Sequence, residues 1–554
     1  MATKKNTGTL GFRGLVAIVS MLTGLCILLP PSVLATQTLV ISTMSLPDGT
    51  AGQAYSAQLN TCLFDTQASP PQCAADTSTS AWSVMSFSLP AGLTLTSSGT
   101  NAGLISGTPT NAATYSFTVE ATNGTLTAQK IFCISIATPA STACGAPTDH
   151  VCWYVSTSGN NSNPGTRTSP LRTIPCGADK AGPGDWVVVL AGAYSHSQRS
   201  DDYCDNTANT SGKLVCVTKG GTSASLPVVF VSDVKWGAVL DGGNNTLSEG
   251  WHFYDGTQSG ACENVASTSA DYITVQCFEI KGFSETGFSN YGGGHNLDFV
   301  QNHIHDIGRQ CTDSSTGRDG IFLGSSNVTV ERNLIHDVGR FAPGENSCSL
   351  SSNNFEANDH GVYVGKGQAT MSSNITVQNN VFYNIEHGFG VQIYNGSNTT
   401  VNLLNVMNNT FGFANPWRNG QIVVSVPVTS SSIENNIFYQ GKTAAIYFSP
   451  ATVCSSPNVC SLTIKNNMSS NLWGVDSNGV QDPTISGVTV AGNQENTDPL
   501  LYSPAIYDFH LTRNSTAIDG GLTLSGVTND YEGVARPQGA AYDIGAYEFH
   551  VPFY

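Results

Sequence analysis

The sequence predicts an all-β chain in which a right-handed parallel β-helix, a solenoid over roughly residues 150 to 549, follows a smaller β-sandwich. Three observations predict it. The chain is rich in Gly, Asn, Ser and Thr with only 11% charged residues, a mix suited to β-structure with many turns. Aligning FVQNHIHDI, TVERNLIHDV, TVQNNVFYNI, NVMNNTFGF, SIENNIFYQ and TIKNNMSS stacks Asn302, Asn333, Asn380, Asn409, Asn436 and Asn467, at successive gaps of 31, 47, 29, 27 and 31 residues. Another strand follows each of the first five asparagine strands, so each repeat holds several short strands. A period in the twenties to low thirties marks a solenoid of three strands per coil. Leucine-rich repeats share the period but need a leucine consensus that is missing here.

The chain opens with Lys4, Lys5 and Arg13, continues through an apolar stretch from Leu15 to Leu29, and reaches Val33-Leu34-Ala35. That is the order of a secretory signal, and cleavage after Ala35 is expected, leaving no membrane association. The stretch is shorter than a spanning helix. Of the 15 cysteines, Cys26 leaves with the signal, and several of the others lie close in sequence: Cys62 and Cys73, Cys204 and Cys216, Cys262 and Cys277, Cys454 and Cys460. In an exported chain such spacing predicts disulfides. No CxxC exists and no histidine stands at ligand spacing beside these cysteines, which argues against thiolate zinc sites. The formal charge of -17 speaks against nucleic acid and anionic membranes as partners. It also makes an acidic polysaccharide an awkward ligand unless a local basic cluster or a bound cation offsets the field. The sequence carries no sign of oligomeric state.

From residue 37 to 137 short alternating strands are separated by Gly and Pro turns, the pattern of a β-sandwich. The order GQAY, WSV, LPAGL, ISGTP and YSFTVEAT resembles Ig-like domains of bacterial surface proteins, modules that act mostly as spacers or adhesive units. A linker of small residues, 138–149, leads to WYVSTSGNNSNPGTRTSPLRTI and ADKAGPGDWVVVLAGAY. These resemble the opening of secreted bacterial pectate-lyase-like β-helix proteins: an extended strand, an N-P-G-T turn, a helix start at T-I and a P-G-D strand. The resemblance implies the fold more than the activity. YDFHLTRNSTAIDGG and DYEGVARPQGAAYDIGAYEF resemble the closing segment of the same families, with Phe509, Arg536 and the run from Asp543 to Glu548. A cap over the open solenoid end is implied, since such an end exposes unpaired strand edges. The chain stops at Tyr554, and release from the cell rather than anchoring is expected.

An asparagine repeated at one corner of every coil can hydrogen-bond to its copies above and below, so these residues are read as structural. The tandem IHDIGR and IHDVGR segments are read likewise. His305 and His336 stack with Asp306 and Asp337 as surface rungs, although two stacked His/Asp pairs could also hold a cation.

Chemistry is expected on the strands RDGIFLG, DHGVYVG, HGFGVQIY and RNGQIVVS. Aligning Gly320, Gly361, Gly390 and Gly420 sets Asp319, His360, Phe389 and Asn419 in adjacent coils, with Ile321 and Val362 toward the core. Alternation then sends Phe322, Tyr363 and Gln392 outward. Two long insertions, 309–318 and 340–358, precede this sheet in neighbouring coils, and a disulfide between their cysteines, Cys311 and Cys348, would join them into one wall. The groove between wall and ladder is the candidate site.

It would hold Arg318, Asp319, Asp359, His360, Tyr363, Lys366, Glu386, His387, Gln392 and Arg418. In β-elimination of a uronate polymer a base takes the proton beside the carboxylate, and a positive group neutralises that carboxylate. His360 or Lys366 is the candidate base, Tyr363 the proton donor and Arg318 the neutraliser. Asp319, Asp359, Glu386, His387, Gln392 and Arg418 are candidate substrate-binding residues, and Asp319 and Asp359 alternative calcium ligands. Glycoside hydrolysis needs two carboxylates flanking the scissile bond, for which Asp319, Asp359 and Glu386 are available. The polygalacturonase pattern of spaced aspartates, G-H-G and R-I-K is met only by HG fragments, and the calcium-binding aspartate cluster of the lyase families is not recognisable. A DG or HG before a strand is also found in plain tight turns. The expectation is an exported carbohydrate-active protein, a lyase ahead of a hydrolase, with a non-catalytic glycan-binding or cell-surface protein as the alternative.

Overall fold

The computed structural model describes residues 37–549 except 44, 66–71, 76–79, 87, 112, 125, 138–150, 196–211, 255–268, 292, 314–315, 342, 351–357, 366–371, 386–387, 395–399, 415–419, 442–443, 451 and 477–479. The signal segment and the linker therefore lie outside the described residues. Residues 37–137 form small, mainly antiparallel sheets, the longest pairing being Ala113–Asn123 with Leu126–Ala137. Trp82, Ile105, Phe117, Val119 and Ile134 fill the space between them. Two motif glycines explain themselves. A Cβ on Gly92 would stand 1.9 Å from the Thr108 carbonyl oxygen, and one on Gly107 would stand 2.1 Å from that of Gly92. Only glycine lets these backbones approach so closely.

From Cys152 onward the chain winds through three parallel sheets. The first runs from Cys152–Val155 to Val488–Ala491, the second from Gly192–Tyr194 to Met468–Ser469, and the third from Lys213–Val217 to Leu472–Asp476. One continuous apolar core lies between them, including Ile304, Ile321, Val330, Ile335, Val362 and Phe382. At its start Asp185 of the P-G-D turn accepts hydrogen bonds from Val151 N (3.0 Å), the Trp153 indole (3.1 Å) and Gly182 N (2.9 Å). Thr173 N-caps the short helix Ile174–Lys180, as the T-I start predicts.

The asparagine column forms as expected. Asn302, Asn333, Asn380, Asn409 and Asn436 each donate from Nδ2 to the Oδ1 of the next rung at 2.9–3.1 Å, and Asn467 extends the ladder to Asn493 at 2.9 Å. Each of the six predicted rungs also gives a hydrogen to a main-chain carbonyl one coil back. Asn380 bridges four groups: it donates to Val330 O and Asn409 Oδ1 and accepts from Asn333 N and Nδ2. Asn380→Leu is expected to cost about 1–3 kcal/mol for each group left buried without a partner. A guanidinium unfolding midpoint unchanged from the parent would contradict this.

The residue before each ladder asparagine does different work. Asn379, Asn408, Asn435 and Asn466 adopt left-handed backbone at the corner, and each amide donates outward to the closing segment, to Asn529 O, Asp543 O, Leu522 O and Gly520 O. The closing segment thus corrects the expected end cap. It lies along the flank of the second sheet, where Phe509, Ile544 and Ala546 pack against the outward column Leu334, Val381, Ile437 and Met468. The physical reason is that this column is apolar and would otherwise face water. Arg536 is buried in the segment, paired with Glu548 at 2.6 Å and bonded to Asn379 Oδ1 at 3.2 Å.

The sandwich docks on this strap through a buried ion pair, Lys130 to Asp508 at 2.7 Å. Asp508 also binds His510 Nδ1 at 2.6 Å, and His510 Nε2 lies 3.3 Å from Glu532. Burial opposes the imidazolium, but Asp508 and Glu532 outweigh it and push the His510 pKa up to about 10. Because the folded value lies above the ordinary one, this stabilisation is complete below about pH 6.5 and fades as pH rises toward 10. The thermal midpoint of the parent should therefore exceed that of His510→Asn by an amount that shrinks over this window. A constant difference would rule it out.

The disulfide Cys454–Cys460 forms, as does Cys311–Cys348, and Cys62, Cys152, Cys176 and Cys216 are disulfide-bonded. The expected Cys262–Cys277 bridge does not form: Cys277 is a free thiol. It occupies a left-handed corner position with its sulfur 3.7 Å from Gln301 Oε1, and burial pushes its pKa to about 11.

Candidate functional site

The third sheet carries the predicted site. Its strands Arg318–Leu323, Asp359–Val364 and Gly388–Ile393 lie side by side, with Asp319 beside His360 beside Phe389 and Phe322 beside Tyr363 beside Gln392. The glycines belong to the strands, not to tight turns. A Cβ on Gly320 would meet the Gly361 carbonyl oxygen at 2.6 Å, and one on Gly361 that of Gly390 at 2.7 Å, so neighbouring coils leave no room for one. The fourth glycine breaks the expected column. Val391 pairs with Ile422, which sets Gln421 rather than Gly420 next to Gly390, because the chain before that strand is one residue out of step.

His360 and Asp319 form a dyad. Imidazole Nδ1 meets carboxylate Oδ1 at 2.7 Å, and Nε2 is buried with no partner among the described residues. Burial raises the Asp319 pKa, while the hydrogen bond from His360 opposes the rise. Tyr363 packs its ring 4.8 Å from that of His360 and 5.4 Å from that of Phe322, which in turn lies 5.4 Å from Tyr291. Tyr291 and Tyr394 are nearly half exposed, so an aromatic strip crosses the face of the sheet. Burial and the neighbouring Asp319 raise the phenol pKa of Tyr363, keeping it protonated.

Arg318 is almost buried. Its Nη1 donates to Gly317 O at 3.3 Å and lies 3.9 Å from Glu285, and its Nε is buried without a partner among the described residues. Burial lowers its pKa.

Asp359 departs from its expected role. It is completely buried and accepts from Arg340 N, Nε and Nη2 at 2.8, 3.1 and 2.8 Å and from Arg318 N at 3.1 Å. Its carboxylate anchors the insertion that starts at Arg340. Asp359 and Asp319 do not fit a calcium ion, which needs free carboxylate oxygens: one is bound to a guanidinium and the other to an imidazole. Asp359 is equally out of reach of a sugar, which removes one of the carboxylates a hydrolase would use. Gln392 stands on the outer face, half-buried. Lys366, Glu386, His387, Arg418 and Asn419 lie outside the described residues.

Cys311 and Cys348 are bonded, joining the two insertions as expected. Arg309 reinforces the wall with a 2.6 Å contact to Glu345 and its guanidinium 4.6 Å from the Phe341 ring. A recess of about 890 Å³ opens on the flank of the wall toward the second sheet, lined by Asp241, Lys281, Asp306, Arg309, Cys311 and Phe341, with no ladder residue in its lining. Reading the sequence missed Arg340, whose basic side chain at the start of an insertion was the available signal. It also missed His303, which precedes His305 by the two residues that place both on one face of a strand.

Residues 37–137 match the family described as "Putative Ig domain", and residues 265–425 the family described as "Right handed beta helix region". A search of the curated proteins found no significant match. Among solved structures, pectate lyase Pel9A is 15% identical, covering 73% of this chain and 98% of its own, with a TM-score of 0.46. A rhamnogalacturonan lyase is 14% identical over 66% of this chain and 95% of its own, with a TM-score of 0.34. The A-module of the Azotobacter vinelandii mannuronan C-5 epimerase AlgE4 is 12% identical over 63% and 83%, with a TM-score of 0.30. At these identities and scores the likenesses bear on neither substrate nor chemistry. No helix among the described residues is long and apolar enough to cross a membrane. The two family matches and the three parallel sheets together make the chain a right-handed parallel β-helix protein with an N-terminal Ig-like domain.

Proposed function

We propose that the protein is exported, binds a polysaccharide along the third sheet and cleaves it by β-elimination, with His360 as the base. The observation that carries this reading is the His360–Asp319 dyad, in which the carboxylate orients Nδ1 and leaves Nε2 without a partner among the described residues. A base held by an orienting acid is the arrangement that proton abstraction needs. Nε2 takes the proton from the carbon beside the uronate carboxylate, the electron pair forms the double bond, and the glycosidic oxygen leaves with a proton from Tyr363. Arg318, with Nε unpartnered among the described residues, a 3.3 Å bond from Nη1 to Gly317 O and a 3.9 Å contact to Glu285, neutralises the substrate carboxylate. Tyr291, Phe322 and Tyr363 offer flat apolar surface to sugar rings.

One observation favours binding without cleavage: His360 Nε2 is enclosed, so substrate must displace what covers it. The two readings separate when the purified protein is incubated with polyuronates and neutral glycans, with and without calcium, recording unsaturated-uronate absorbance and new reducing ends. Absorbance is the expected result. Reducing ends without absorbance would replace the lyase with a hydrolase, and retention on a polysaccharide with neither signal would leave a binding protein.

A further inference from the structure

A second chemical centre stands on the second sheet, away from the ladder. His303 and His305 project from the same face of the strand His303–Ile307, and His336 projects from the adjacent strand Leu334–Val338 directly opposite His305. One ring nitrogen from each of the three lies within 4.8 Å of the others. His303 Nε2 and His336 Nε2 are 2.7 Å apart. Trp236 covers His303 at 4.7 Å between ring centroids, and Tyr383 stacks on His336 at 4.3 Å.

The outer nitrogens of two of these rings are already held. His305 Nδ1 meets Asp306 Oδ2 at 2.7 Å, and His336 Nδ1 meets Asp337 Oδ2 at 2.5 Å. Each ring is thereby fixed with Nδ1–H toward a carboxylate and Nε2 toward the cluster, the arrangement in which a supporting carboxylate orients a metal-ligating histidine.

We propose that His303, His305 and His336 bind one zinc(II) ion through their Nε2 atoms. Imidazole nitrogens suit zinc and its late first-row neighbours, and three protein ligands leave a fourth position for water. Zinc–nitrogen bonds of about 2.0–2.1 Å in a tetrahedron place the nitrogens roughly 3.3 Å apart. The closest pair must therefore open slightly and the widest close, movements within reach of small side-chain rotations. Glu279 Oε1 lies 3.3 Å from His305 Nε2 and is held by Lys281 at 2.8 Å. Asp306 and Lys281 also line the recess of about 890 Å³, which brings solvent to the edge of the cluster. The site involves neither His360 nor the third sheet, so it stands whether or not elimination is observed.

The test uses the full mature chain, stripped with chelator and titrated with cobalt(II), whose tetrahedral complexes absorb strongly in the visible, and then with zinc(II). One equivalent of cobalt giving that absorption, displaced by one equivalent of zinc, is expected. His303→Gln and His336→Gln should each weaken zinc binding at least tenfold, and zinc should raise the thermal midpoint of the parent but not of the variants. A parent chain that gives no cobalt absorption and takes up no zinc overturns the proposal, as do variants that bind zinc like the parent. If the variants fail to fold, the cobalt spectrum of the parent decides alone.

Discussion

Arg340→Leu is expected to destabilise the protein by about 3–5 kcal/mol, the cost of leaving a buried carboxylate without its cation. Both Arg340 and Asp359 are fully inaccessible to solvent, and the guanidinium holds both carboxylate oxygens. Removing the arginine leaves Asp359 charged in the interior or forces it to take up a proton. The double variant Arg340→Leu with Asp359→Asn should recover part of the loss, because no uncompensated charge remains. Denaturant midpoints of the parent, single and double variants check this. A single variant as stable as the parent would mean that solvent reaches Asp359.

The second large effect concerns turnover. His360→Ala should lower kcat on a susceptible polyuronate by about 10²–10⁴-fold, the contribution of a positioned general base. Retention on the polysaccharide should persist, because the aromatic strip is untouched. Asp319→Asn should lower kcat less and alter its pH profile, since the amide no longer stabilises the imidazolium formed when His360 takes a proton. Equal loss of binding and turnover in His360→Ala would reduce the dyad to a structural element.

The parts of the fold that were legible in the sequence are those where one physical requirement repeats in every coil. A ladder asparagine must find its copy one rung away, and a strand glycine must clear the carbonyl next to it, so both recur at readable intervals. The wall was legible because each of two neighbouring insertions carries a cysteine. The chemistry was less so, because partnership across space decides it. Asp359 looks like a free acid beside His360 until Arg340, nineteen residues earlier, is seen to enclose it. The shift from Gly420 to Gln421 has the same origin: the pairing between coils, not the local motif, sets which residue stands beside Gly390. The strap was misplaced because a family-like closing motif does not say which apolar surface it covers. The outward column Leu334, Val381, Ile437 and Met468 says so, but only after strand faces are known.

The strap also has a bearing on length. Four consecutive coils each extend one corner asparagine to it, at Asn379, Asn408, Asn435 and Asn466. Coils rise by about 4.8 Å. An extra coil inserted within this stretch would carry the later asparagines one rung past their carbonyl partners, so the strap works as a ruler that fixes how many turns the solenoid can have beneath it. The gauge reaches back into the earlier coils as well, where Trp236 packs against the strap cluster and Lys235 lies over the Tyr531 ring.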